Sequence, residues 1–136
     1  MANALYDLAR QSFLNAEIDM TDNDIKAALI DVADYTANLA TDQYLDDIAG
    51  AAIVSTSGNF ATKTTSAGVF DAADITFTSV TGDVCEAVVI YQDTGTAGTS
   101  RLIAYIDTAT SGLPVTPNGG NITVTWSDGA TKIFKL

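Results

Sequence analysis

The chain has 136 residues, with six Lys+Arg against 17 Asp+Glu and a formal net charge of −11. It has one Cys and no His, which excludes a Ser-His-Asp triad, a Cys-His pair, a His-based or Cys-only zinc site and an internal disulfide. The acidity opposes nucleic-acid binding, which depends on neutralising phosphates with Lys and Arg.

Ala4 to Ala16 predicts an amphipathic helix, with Asn3 as N-cap and Asp7 in the first turns, where the helix dipole favours negative charge. At about 100° per residue, Leu5, Tyr6, Leu8, Ala9, Phe13 and Ala16 form one apolar stripe. Leu14 falls on the polar face, as an ordinary exposed leucine or as a contact to another subunit. Glu17 to Met20 reads as a short strand, turned by Thr21-Asp22-Asn23-Asp24 into a second strand from Ile25 to Val32. Thr41-Asp42 resembles a cap, and Gln43 to Ile48 reads as a short second helix.

Beyond Ala51 the strand signals repeat. Ala52–Ser57 and Phe60–Thr65 flank Gly58-Asn59, and Ile75–Thr78 alternates. Val84–Gln92 and Arg101–Asp107 are apolar on both faces, so both faces must be covered, by this chain or by a partner subunit. In the first, Cys85, Ala87, Val89 and Tyr91 oppose Val88 and Ile90; in the second, Leu102, Ala104 and Ile106 oppose Ile103 and Tyr105. Ile122–Trp126 alternates strictly, and Asp128-Gly129 predicts a hairpin turn into a last strand, Lys132–Leu136. The expected fold is mainly β: an antiparallel β-sandwich or partly open barrel, with an N-terminal helix and one short second helix, forming a single domain over 1–136. Apolar residues make up 47%, which argues against disorder. No apolar run approaches the ~20 residues of a membrane span. Met1-Ala2-Asn3-Ala4 lacks a signal peptide's basic start, so a soluble product of a reducing cytoplasm is expected.

Carboxylates are the abundant reactive group. Glu86 lies in an apolar strand, where burial would suit a general acid and an acid-catalysed glycosidase, but pairing with Arg101 or exposure is the plainer expectation. The Asp19, Asp22, Asn23 and Asp24 turn fails the EF-hand pattern, because Lys26, Ala27 and Ala33 occupy ligand or turn positions. Asp42, Asp46 and Asp47 are spread along the expected second helix and Asp71 and Asp74 flank Ala72-Ala73; solvated acids are the plainer expectation, with a hard cation held between loops as the alternative. Cys85 reads as a buried thiol with no imidazole to activate it. The Gly-rich turn Asn118-Gly119-Gly120-Asn121 has no phosphate-loop context, and Asn121-Ile122-Thr123 is a chance glycosylation match. No catalytic, cofactor or metal residues are therefore assigned.

Four segments together resemble a known family. They are Ala2–Tyr6 with Phe13-Leu14; Ile25–Tyr35 with Asn38–Thr41 and Leu45–Ile48; Ser100–Thr108; and Leu113–Gly120 running into Ile133–Leu136. The chain resembles small virion structural proteins of tailed bacteriophages, of the capsid decoration (cement) type. The resemblance implies a non-enzymatic protein on the outer capsid surface, made in the host bacterial cytoplasm. Its partners would be the major capsid protein and other copies of itself, a homotrimer being favoured, with no nucleic acid and no membrane. Leu5, Leu8, Phe13 and Leu14 are the expected assembly surface. The alternative is a tail- or fibre-associated module binding host-surface glycan through the loops at Thr94–Ser100 and Thr116–Asn121; the aromatics read as core, and only an exposed Trp126 would suggest a sugar platform.

Overall fold

The computed structural model describes residues 3–136; Met1 and Ala2, which carry part of the leader argument and of the resemblance, lie outside the described residues. In chain order the elements are β1 (Ala4–Leu5), α1 (Asp7–Leu14), β2 (Ile25–Ile30), β3 (Ile53–Thr56), β4 (Thr64–Ser66), β5 (Val69–Asp71), β6 (Ile75–Phe77), β7 (Ala87–Gln92), β8 (Leu102–Ile106), β9 (Ile122–Val124) and β10 (Phe134–Lys135). They make three antiparallel sheets. The largest has the order β1-β8-β7-β2-β3, and two small ones have the orders β10-β5-β4 and β6-β9. The fold is mainly β and sandwich-like, with no closed barrel. The folded chain exposes 6420 Å², near the roughly 6,700 Å² that area scaling gives a compact chain of this mass.

The large sheet is buried on both sides by this chain alone. On one face Ile25, Leu29, Val88, Ile90 and Ile106 meet the small sheets through Phe70, Phe77, Val124 and Trp126. On the other, Ile30, Val89, Tyr91 and Leu102 are covered by Tyr6, Ala9, Tyr35 and Ile48. The two-faced strands therefore need no partner subunit to explain them. Their faces also divide differently from strict alternation. Ile90 pairs with Ala104 but Tyr91 pairs with Leu102, leaving Ile103 as an extra residue. This bulge sends Leu102 to the Tyr105 side and puts Ile103 with Ala104 and Ile106 in the other core. Cys85 likewise packs opposite to Ala87, because it pairs with Val115 rather than continuing β7.

The expected helix over Ala4–Ala16 begins only at Asp7. Ala4 and Leu5 pair instead with Tyr105 and Ala104, which sends Leu5 into one core and Tyr6 into the other. Asn3 is not the cap. Its Oδ1 accepts the N–H of Asp107 at 2.8 Å and of Thr108 at 2.9 Å. The helix ends with Ala16 in the left-handed region at φ 58°, and the Glu17 N–H closes the turn onto the Ser12 carbonyl at 2.9 Å.

Residues 17–20 form no strand. Asp19 caps a turn by accepting the Thr21 N–H and hydroxyl and the Asp22 N–H, and β2 pairs with β7 and β3 instead. The short second helix reduces to one 3-10 turn, Leu45–Asp47, because the Asp47 carboxylate takes the N–H groups of both Gln43 and Tyr44. Gly58-Asn59 joins no hairpin, since Phe60 bonds directly to Ile25 and the next strand starts at Thr64. Asp128-Gly129 joins none either. β9 pairs with β6 and β10 with β5, so the two strands on either side of this turn belong to different sheets, although Trp126, Phe60, Phe70 and Phe134 pack in one core. No helix among the described residues is long and apolar enough to cross a membrane.

Candidate functional site

The surface around α1 and β10 carries the largest exposed apolar side chains of the described residues. Leu14 is 85% exposed and Leu136 59%. Between them sits a hollow of about 310 Å³ that Arg10 and Phe13 complete. It adjoins an open groove of about 440 Å³ with Phe13, Ile18, Met20, Phe70, Phe134 and Leu136 among its walls. Phe13 and Leu136 belong to both, so the two form one apolar strip.

The strip exists because three remote segments are held together. The β4–β5 hairpin turns through Ala67 at φ 50° and Gly68 at φ 82°, the two-residue turn in which both residues are left-handed. β10 lies along β5, pairing Phe134 with Phe70 and Lys135 with Val69, and the Leu136 N–H bonds to the Gly68 carbonyl at 2.9 Å. The third wall, residues 16–20, is pinned by polar bonds. The Gln92 amide donates to the Glu17 carbonyl at 3.0 Å and to Asn23 Oδ1 at 2.7 Å. Arg101 reaches Glu17 at 3.4 Å, and Lys63 Nζ donates to the Asn23 carbonyl. These bonds set Ile18 and Met20, each 6% exposed, as the floor of the groove.

The four expected assembly residues separate. Leu5 is 5% exposed and belongs to the core, because β-pairing turns it inward. Leu8 is half-buried. Phe13 is half-buried and packs against both cores, and Leu14 stands out in solvent. The partners that complete the strip, Phe134 and Leu136, lie 121 and 122 residues along the chain from Phe13 and Leu14, respectively. A sequence pattern shows such a pairing only as apolar residues in a final strand.

The other candidate groups serve the fold. Glu86 does not meet Arg101; its Oε2 accepts the Val32 N–H at 3.1 Å. Arg101 lies 6.0 Å from the Tyr44 ring centroid. Among the described residues no three His, Cys, Asp or Glu side chains group so as to hold a metal ion. The Asp42 carboxylate accepts the Tyr35 hydroxyl at 2.7 Å and the Asn38 N–H at 2.8 Å, and Tyr35 meets Tyr6 at 2.9 Å. Burial pushes the Cys85 thiol up to about 11, helped by the nearby charges of Glu86, Asp31 and Asp83, which leaves a thiol rather than a thiolate near neutrality. Trp126 is 3% exposed, and its indole N–H donates to the Ala73 carbonyl. In the Thr94–Ser100 loop, the Thr94 hydroxyl meets those of Thr99 at 2.6 Å and Ser100 at 3.2 Å. These bonds occupy hydroxyls on which a sugar-binding role would depend.

No protein-family model matches the chain, and no curated protein matches it in sequence.

Proposed function

We propose that this chain is a structural protein of a phage virion, a cement protein that binds the outer surface of the capsid and reinforces the contacts between shell subunits. The observation that carries the reading is the apolar strip headed by Leu14 and Leu136 on a chain of net charge −11. Contiguous exposed apolar surface of this kind marks an association site. The acidity suits the outside of a shell, away from packed DNA, and basic patches on a shell would attract it. The resemblance in sequence pattern supports the same reading and favours a trimer. Three copies together carry three times −11, so apolar contact must offset self-repulsion in the assembly.

The test is co-sedimentation with expanded capsids of a tailed phage and calorimetry of those capsids. Binding should raise the shell's melting temperature, since a ligand of the assembled state stabilises it by mass action. Leu14→Asp, placed on the strip, should abolish both effects while the free protein keeps its own melting temperature. Absence of binding to any capsid form overturns the reading.

A further inference from the structure

A second groove, of about 330 Å³, lies on the other side of Phe134, and it differs from the apolar strip in charge and in what lines it. Its walls include the consecutive residues Asn3, Ala4 and Leu5 on one side and Ile133, Phe134 and Lys135 on the other. Side chains alternate along a strand, so the face of a strand contributes every second residue to a groove. Consecutive residues mean that the groove is bordered by the edges of the strands. The topology agrees: β1 is the outermost strand of the large sheet, and β10 the outermost strand of its own small sheet. Each is bonded to one neighbour, which leaves one backbone edge without a strand.

Charge is concentrated there. Of the six basic residues in the chain, three, Arg10, Lys132 and Lys135, line this groove, and among the described residues no Asp or Glu does. The other three are bound into the fold: Lys26 to Asp93 at 2.6 Å, Arg101 to Glu17 at 3.4 Å and Lys63 to the Asn23 carbonyl. Two of the groove cations touch an acid outside the lining. Arg10 donates to the Asp7 carboxylate at 2.8 Å and to the Leu5 carbonyl at 3.3 Å, with the Arg10 and Asp7 side chains more than half exposed, and Lys132 meets Asp128 at 3.6 Å, with the Asp128 side chain 93% exposed. Exposed pairs like these contribute little, so an incoming carboxylate can replace either acid. Lys135 makes no ion pair among the described residues.

We propose that this groove binds an extended acidic segment of a partner protein by strand addition. The segment would run along the open edge of β10, with main-chain bonds supplying affinity and its carboxylates meeting Lys132, Lys135 and Arg10. Lysine on an edge strand discourages pairing with another copy of the same strand. The same lysines attract a strand that carries the opposite charge. The net charge of −11 does not prevent this, because exposed charges beyond about 8 Å are screened at physiological salt. The site is independent of any capsid role and can be tested with peptides alone.

The experiment titrates the isotope-labelled full chain with a blocked nonapeptide of alternating Val and Glu, and with its Val and Lys counterpart. The Glu peptide should bind, shift the amide resonances of Ile133–Lys135 and slow the hydrogen exchange of Lys135, whose N–H points away from β5. The Lys peptide should bind at least about tenfold more weakly, and the Lys132→Glu/Lys135→Glu double variant should reverse that preference. Should the double variant fold poorly, Lys135→Ala, at an exposed position, should still weaken the Glu peptide several-fold. The proposal is overturned if both peptides bind alike, if binding leaves the β10 amides unmoved, or if a single-stranded oligonucleotide displaces the Glu peptide from the groove.

Discussion

The rings of Phe13 and Phe134 meet with centroids 6.4 Å apart and planes tilted by 47°, joining the end of the helix to the last strand. Phe134 in turn lies 5.3 Å from Phe70, and Phe70 lies 6.5 Å from Phe60. This aromatic row runs from the exposed strip into the core, so the shape of the strip is set by buried packing. Phe70→Ala, at a side chain 1% exposed, should cost about 3–5 kcal/mol. Phe134→Ala, half-buried, should cost about 2 kcal/mol. Urea unfolding followed by tryptophan fluorescence measures both.

Leu14 should behave in the opposite way. At 85% exposure, Leu14→Ser should change the stability of the isolated chain by no more than about 0.5 kcal/mol. Self-association, read by sedimentation velocity at rising concentration, should weaken in the same variant. A stability loss of several kcal/mol would show that Leu14 is packed in the folded chain.

The alkaline limb of stability should be set by buried phenols. Burial is the leading cause that raises Tyr6 and Tyr35 well above the ordinary tyrosine range and Tyr91 to about 12. Above pH about 10 the unfolded chain releases phenolic protons that the folded chain keeps, so it binds fewer protons and stability falls as pH rises. Urea midpoints should therefore drop between pH 9 and 11. Tyr35→Phe removes the hydroxyl shared by Tyr6 and Asp42 and should cost about 1–3 kcal/mol at pH 7.

The acid limb depends on carboxylates. The Thr21 hydroxyl and the N–H groups of Thr21 and Asp22 hold Asp19 below the usual carboxylate range. The Lys26 ammonium and the Gly95 N–H do the same for Asp93. Their contribution is complete above the unfolded value of about 4 and is lost as pH falls through the lower folded values, where the unfolded chain binds more protons. Relief of the overall negative charge acts in the other direction. Comparison with Asp93→Asn separates the two, because that variant should be less stable at pH 7 and depend less on pH between 5 and 2.

Cys85 is 0% exposed, with its thiol raised to about 11. Iodoacetamide at pH 8 should leave the folded chain unmodified over hours, and should label one site per chain once urea unfolds it. Mass spectrometry counts the adducts.

The apolar interior was legible where residues pack by simple alternation. Ile122, Val124 and Trp126 share one core, as their spacing predicts, and the two long strands are covered on both faces. The sequence misled where a side chain competes with the backbone or a long-range pairing overrides a local signal. Asp19 and Asp47 each take two N–H groups, converting an expected strand and an expected helix into turns. Ala4 and Leu5 have helical spacing but pair with β8, one hundred residues away, and no window on the sequence contains that partner. The same distance hid half of the apolar strip. Leu14 stands out as a misfit on its helix, whereas Phe134 and Leu136 look like any other end of a strand.

Both surfaces that invite contact are assembled from the two extremes of this sequence, the helix near residue 10 and the strand near residue 134. Pairings at such separation form slowly, because a large loop must close before any contact compensates for it. Neither the strip nor the edge groove exists until β10 has docked. Any association through either surface would therefore follow the docking of β10, because a partly folded chain has neither surface in its final form.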